Sequence, residues 1–204
     1  MPISVNELLQ KVNLRVTGKV KWGNVVDCQE KGIYLISTSS NPESNENKIN
    51  EAPISREKLM KWIAVSGNMT IDNRVADLES LNNRLQKYWL PDENILYIGQ
   101  TSKQTLHARI QQFYNHELGR RKPHSGGEWI KTLSNINELC IYFVTSDSSK
   151  EVEEKLLHEF MKVSSSKMVG DIQVQSLGLP FANKECICEG KRLRKNHGFG
   201  NARI

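Results

Sequence analysis

Apolar residues along the chain fall into two kinds of run. Compact β-branched and aromatic stretches, "KGIYLIST" (31–38), "NILYIG" (94–99) and "ELCIYFVT" (138–145), predict strands. Apolar residues at three- and four-residue steps predict helices. The first covers 4–12, with Ser4 as its cap and Glu7 at the capping-box position. Others cover 55–65, 73–89, 105–118 and a stretch from about Lys150 to Val163, with a helical turn around "EWIKTL". In 73–89, Val75, Leu78, Leu81, Leu85 and Trp89 form a narrow stripe suited to packing on one partner surface, and Pro91 closes the segment. The Ser/Asn/Pro/Glu-rich "STSSNPESNENKINEAP" has no apolar periodicity and reads as a surface loop.

This order of elements predicts an α+β fold: a small antiparallel or mixed sheet flanked by helices, with a helical insertion at 40–91 between the first two core strands. Residues 1–30 read as an N-terminal extension packing on the core, 31–183 as the core domain, and 184–204 as a basic C-terminal tail.

Helical phase picks out the unusual charges. Val152, Leu156, Leu157, Phe160 and Val163 share one face of the last helix, and Glu153 falls within it. A carboxylate directed at a core is costly unless an arginine, a donor network or a metal ion satisfies it. Glu153 is thus either a buried ion-pair partner or a functional acid, and periodicity leaves both readings open. In 105–118, Leu106, Ile110, Phe113 and Leu118 point inward, with Arg109, Gln112 and His116 along one border. From there Arg109 reaches either a phosphate oxygen or Glu153. Tyr34 and Tyr97 each lie near a glycine in a strand, where half-buried packing is the ordinary role of a tyrosine.

The chain has 204 residues, 38% of them hydrophobic, which suits one sizeable core. It has no apolar run of transmembrane length, and "MPISVNELLQ" lacks the charged start and apolar stretch of a signal peptide, so a soluble, cytoplasmic protein without membrane contact is expected. Cys28, Cys140, Cys186 and Cys188 make a poor disulfide framework. Cys186, Cys188 and His197 offer three soft zinc ligands but lack the usual paired Cys-x-x-Cys knuckles, so reduced cysteines are the better reading.

The net charge of +5 is concentrated. From Lys184 onward, Lys184, Lys191, Arg192, Arg194, Lys195 and Arg203 oppose only Glu185 and Glu189, and a second basic group, with Arg120, Arg121, Lys122 and His124, lies in "GRRKPH". Two basic segments around one core suit a polyanion such as nucleic acid, although on charge alone a solvated basic tail is the better reading.

"GIY" at Gly32-Ile33-Tyr34, "YIG" at Tyr97-Ile98-Gly99, Arg109 in the following helix, Glu153 at the head of "E-x-x-L-L", and the Pro-x-x-Asn element ending at Asn183 together resemble the GIY-YIG nuclease superfamily. The resemblance spans 32 to 183. It implies a small antiparallel sheet with helices, one divalent-metal site, and hydrolysis of phosphodiesters in DNA, with RNA not excluded. It implies that Glu153 ligates a single Mg²⁺ or Mn²⁺ ion and Arg109 holds a phosphate oxygen. Tyr97 or Tyr34 would orient or deprotonate water, with Lys103 lowering the phenol's pKa, and Asn183 would orient the substrate.

Two departures stand out. Sixty-two residues separate Tyr34 from Tyr97 where the family usually has a short hairpin connection. Phe113 occupies a position where many members carry His or Tyr, which leaves Tyr114 or His116 as substitutes. His124 and Lys131, in and just after the loop before "WIKTL", are further candidates, as acid or phosphate contact and as phosphate contact respectively. Phosphate footing is expected from Arg120, Arg121, Lys122, Lys131, Lys191, Arg192, Arg194 and Lys195. A single motif set cuts one strand, so double-strand cleavage calls for sequential nicking or a homodimer. The contrasting expectation is a non-catalytic nucleic-acid-binding module on the same scaffold.

Overall fold

The "GIY" and "YIG" runs form neighbouring strands despite the residues between them. In the computed structural model, which describes residues 2–44, 49–120, 127–165, 177–188 and 190–201, strand β2 (Gly32–Ser37) pairs antiparallel with β5 (Ile95–Thr101). Tyr34 lies opposite Gly99 and Ile36 opposite Tyr97, with a bulge after Ile36. On its other side β2 pairs with β6 (Cys140–Thr145), and β6 pairs with β1 (Gly18–Lys21). The sheet order is β1-β6-β2-β5, antiparallel throughout, so the expected "antiparallel or mixed" sheet resolves to antiparallel. The class is α+β, with antiparallel sheets flanked by helices.

Both faces of β2, β5 and β6 are covered, which is why these three strands read as continuous apolar runs rather than alternations. Ile33, Leu35, Ile98 and Tyr142 face the helices α1 (Val5–Gln10) and α5 (Ser149–Ser165). Tyr34, Ile36, Tyr97 and Phe143 face α4 (Leu106–Asn115), the short 3-10 turn Glu128–Thr132 and the insertion. The cap of α1 is as expected: Glu7 N–H donates to Ser4 Oγ at 3.1 Å, and Ser4 N–H donates to Glu7 Oε2 at 2.8 Å. No helix among the described residues is long and apolar enough to cross a membrane.

Three parts of the chain depart from the sequence expectations. The first 30 residues do not merely pack on the core, because β1 is a strand of the central sheet. Helix α2 (Arg56–Ser66) matches its prediction, but the segment 73–89 does not form one helix. Strand β3 (Met69–Ile71) turns back into β4 (Arg74–Val75), and α3 begins only at Leu78, running Leu78–Gln86. Asp72 and Asn73 adopt φ of 50° and 64°, the left-handed pair that a tight hairpin turn demands. Asp77 then caps α3, accepting from Ser80 N–H at 2.7 Å. Val75 therefore leaves the stripe and is 83% exposed.

Residues 184–201 are no tail. They form a hairpin, β7 (Glu185–Cys188) with β8 (Lys191–Arg194), followed by β9 (Phe199–Asn201). Strand β9 pairs with β3 of the insertion, so insertion and C-terminal segment hold one another. The four cysteines are free thiols, and no group of three His, Cys, Asp or Glu side chains placed to hold a metal ion forms among the described residues.

Candidate active site

Strand β5 is an edge strand, and its exposed edge is closed by a side chain rather than by another strand. Asn183 Oδ1 accepts from Ile98 N–H at 2.9 Å while its Nδ2 donates to Ile98 O at 2.7 Å, and Ala182 N–H donates to Leu96 O at 2.9 Å. One amide thus satisfies both main-chain groups of the residue between Tyr97 and Gly99. Asn183 lines the cleft described below, and both polar atoms of its side chain hydrogen-bond the strand. Asn183→Leu leaves two buried main-chain groups without this partner, and is expected to lower unfolding stability by roughly 2–4 kcal/mol in chemical denaturation. A loss under 0.5 kcal/mol would contradict this account.

Tyr34 and Tyr97 sit diagonally across β2 and β5 on the same face, ring centroids 5.9 Å apart. Gly99 makes that approach possible. A Cβ there would lie 2.6 Å from Tyr97 Cε1 and 2.7 Å from Tyr34 Cζ, closer than carbon atoms tolerate. Phe113 packs on both rings, with centroids 5.7 Å from Tyr97 and 6.4 Å from Tyr34. It is a packing residue. Of the two proposed substitutes for it, Tyr114 Oη donates to Asn24 O at 3.0 Å, and His116 is buried at the C-terminal cap of α4.

Arg109 comes from α4, whose start is fixed by Thr105 Oγ1 accepting from Ala108 N–H at 3.1 Å and by Leu106 N–H donating to Glu30 O at 2.8 Å. The Tyr34 hydroxyl is hydrogen-bonded with both Tyr97 and Arg109. Glu153 arrives from the opposite side of the sheet. Ser149 Oγ donates to Thr101 O at 3.0 Å, tying the first turn of α5 to the end of β5, and Glu153 follows one turn later. Its charge acts on both tyrosines and on Arg109. Side chains from two helices packed on opposite faces of the sheet thus act on one tyrosine pair.

The electrostatics run against the phenols as bases. Burial pushes the pKa of Tyr34 and of Tyr97 well above its ordinary value, with Arg109 only partly offsetting this and Glu153 adding to it. Tyr34 is fully buried and protonated, so it can orient a partner but not remove a proton at neutral pH. Lys103 is exposed in the turn after β5, and after burial the groups that bear most on Tyr97 are Tyr34, Glu153 and Arg109. Glu153 itself is pushed up to about 7, first by desolvation and then by Glu154, with Arg109 pulling the other way.

Tyr97, Gln100, Lys150, Glu153 and Glu154 line a cleft of about 460 Å³. The C-terminal segment also lines it, with Lys184, Arg192, Arg194 and His197. The expected phosphate-binding residues scatter. Arg192 and Arg194 face the cleft, Lys191 is exposed on the hairpin, and Arg120 is on the surface beside Glu117. Lys195 is not available to a ligand: it is 3% exposed, its Nζ donates to Pro180 O and Phe181 O at 2.7 and 2.9 Å, and it lies over the rings of Tyr88 and Trp129. Lys131 Nζ donates to Tyr114 O at 2.8 Å, and burial brings its pKa down to about 8. Arg121, Lys122 and His124 lie outside the described residues.

The sequence reading passed over Lys150, Lys184 and His197 as cleft residues. Lys184 is ion-paired with Glu128. His197 had been weighed only as a metal ligand, since nothing in "KNHGFG" announces a cleft wall.

The donor chemistry is compatible with a hard divalent cation. Glu153 and Glu154 offer carboxylate oxygens, and an Mg²⁺ ion keeps most of its water and needs only one or two of them from protein. A carboxylate raised to about 7 beside a second one is a group that a cation would relieve.

No protein-family model, curated protein or solved structure matches this chain.

Proposed function

We propose that this chain is a divalent-metal-dependent phosphodiesterase of the GIY-YIG type, acting as an endonuclease on DNA. The observation that carries this reading is the convergence of Tyr34, Tyr97, Arg109 and Glu153 at one edge strand, with Glu153 partly desolvated, beside an open cleft that basic residues also line. Four residues drawn from two strands and two helices meet there, and their spacing in sequence matches the motif order. A packing role alone does not require a carboxylate held against its solvation preference.

In this reading Glu153, with Glu154 beside it, holds the ion, which when bound stabilises negative charge at the phosphate and on the leaving oxygen. Arg109 presents its planar guanidinium to a non-bridging phosphate oxygen. Tyr34, hydrogen-bonded with Arg109, fixes the direction of that guanidinium. Tyr97 has its hydroxyl aligned by Tyr34 and donates to the attacking water or to the phosphate. As a protonated phenol it positions the nucleophile and does not deprotonate it.

Supercoiled and linear DNA incubated with Mg²⁺, Mn²⁺ or EDTA test the reading. Wild type is expected to nick in either metal and not in EDTA, and Arg109→Ala to lower the rate by roughly 100-fold, a loss of about 2.7 kcal/mol in transition-state stabilisation. Metal-dependent nicking untouched by Arg109→Ala sinks the site assignment. Binding without cleavage in any metal favours a non-catalytic module.

A further inference from the structure

The cleft that Glu153 lines is also lined by the C-terminal segment beyond Asn183, and three features of that segment point to a ligand. First, Glu185 accepts from Arg192 Nη2 and from Arg194 Nε, each at 2.8 Å, one on each carboxylate oxygen. One carboxylate thereby holds two guanidinium groups at the cleft, and their summed charge exceeds its own. Second, His197 lines the same cleft, and its Nδ1 accepts from Phe199 N–H at 3.0 Å. That hydrogen bond fixes the tautomer with the proton on Nε2, leaving a neutral N–H donor. Burial, reinforced by the surrounding cations, brings its pKa down to about 4, so it stays neutral across the physiological range.

Third, the segment is anchored more firmly than a solvated tail would be. Arg84 of α3 donates to His197 O at 2.9 Å and pairs with Asp72, and Tyr88 Oη donates to Asn196 O. Asp72 N–H donates to Gly198 O at 2.9 Å, and β9 pairs with β3. The insertion that separates Tyr34 from Tyr97 thus positions residues 196–199.

We propose that Arg192, Arg194 and His197 form a second phosphate subsite, which binds a backbone phosphate flanking the scissile one on the same polynucleotide strand. This rests on the nuclease reading for its geometry, since Glu153 and Arg109 define where the scissile phosphate sits. It assigns these residues to ground-state binding, because Arg192, Arg194 and His197 line the cleft from the C-terminal segment and none of them is among the groups that act on Glu153, Tyr34 or Tyr97. Held in place before the ligand arrives, they bind it without further ordering of long side chains.

The test is the binding and cleavage of a single-stranded oligonucleotide by the intact chain and by Arg192→Gln, Arg194→Gln and His197→Gln. In Mg²⁺, each variant is expected to raise KM roughly 5- to 20-fold with kcat within about threefold of wild type. In EDTA, where cleavage is silent, log K against log salt is expected to flatten by about 0.7 for each arginine removed and not at all for His197→Gln, which weakens binding as a neutral donor. Unchanged KM and affinity in all three variants, or a loss confined to kcat, overturns the subsite. If wild type binds but never cleaves, the nuclease reading fails, and the EDTA affinities alone decide the subsite. Thermal melting of each variant within about 2 °C of wild type shows that these exposed or half-exposed substitutions leave the fold intact.

Discussion

Glu153→Gln is expected to reduce metal-dependent cleavage by about a thousandfold or more, since a metal-held charge stabilisation of several kcal/mol is lost at 1.36 kcal/mol per decade. The same substitution is expected to stabilise the metal-free protein above pH 7. Burial raises the Glu153 carboxyl from its ordinary 4.5 to about 7, so between those values the folded chain holds a proton that the unfolded chain has released. Unfolding in that window releases a proton, and wild-type stability must therefore fall as pH rises from about 4.5 to 7.

The loss is on the order of 2 kcal/mol after allowance for partial solvent access. It should be absent in Glu153→Gln, which carries no titrating group. Addition of Mg²⁺ should reverse it, raising the melting temperature at pH 8 far more than at pH 5, because the ion and the proton compete for one carboxylate. Equal Mg²⁺ shifts at both pH values, or an identical Mg²⁺ shift in Glu153→Gln, would remove this residue from the metal site.

Gly99→Ala is the second substitution with a large expected effect. The alanine methyl would sit 2.6 to 2.8 Å from ring or hydroxyl atoms of Tyr97 and Tyr34, both packed against Phe113 in a filled core. Rings held on three sides cannot rotate away cheaply, so overpacking is expected to lower stability by about 2–3 kcal/mol. Activity should fall further than stability explains, by roughly 100-fold in folded protein, because displacing Tyr34 disturbs the partner that aims Arg109. Denaturant unfolding and cleavage assayed well below the transition separate the two losses. Wild-type stability in Gly99→Ala would contradict the packing described for the tyrosine pair.

The central sheet was legible in sequence wherever both faces of a strand are buried. "GIYLIS" and "CIYFVT" are short and rich in β-branched and aromatic residues, which favours strands over a helix. Strand β1 escaped notice because "GKVK" alternates lysine with Gly18 and Val20, and its outer residues belong to solvent. The phase argument for Glu153 worked because one 17-residue helix fixes the face of every residue in it.

In the insertion the same argument misled. Val75 falls at helical spacing from Leu78, but the Asp72–Asn73 turn and the Asp77 cap each break the chain there, and both signals were present in the sequence. The hairpin β7–β8 was hidden for another reason. Its charges drew attention to a tail, although Cys186 and Leu193, facing one another in register, mark an inward face between Arg192 and Arg194. What no sequence pattern could supply is Asn183 closing the edge of β5, since that pairing spans 85 positions and uses a side chain in place of a strand.

The pairing of β9 with β3 also bears on how the molecule is made. Residues 185–201 emerge from the ribosome after all the motif residues, and the insertion strand that receives them must wait some 130 positions of chain for its partner. A nascent chain can already hold Tyr34, Tyr97, Arg109 and Glu153 together while one side of its cleft is still missing. With the proposed activity, the protein would grip nucleic acid weakly during synthesis and acquire its full hold only after that last strand has docked.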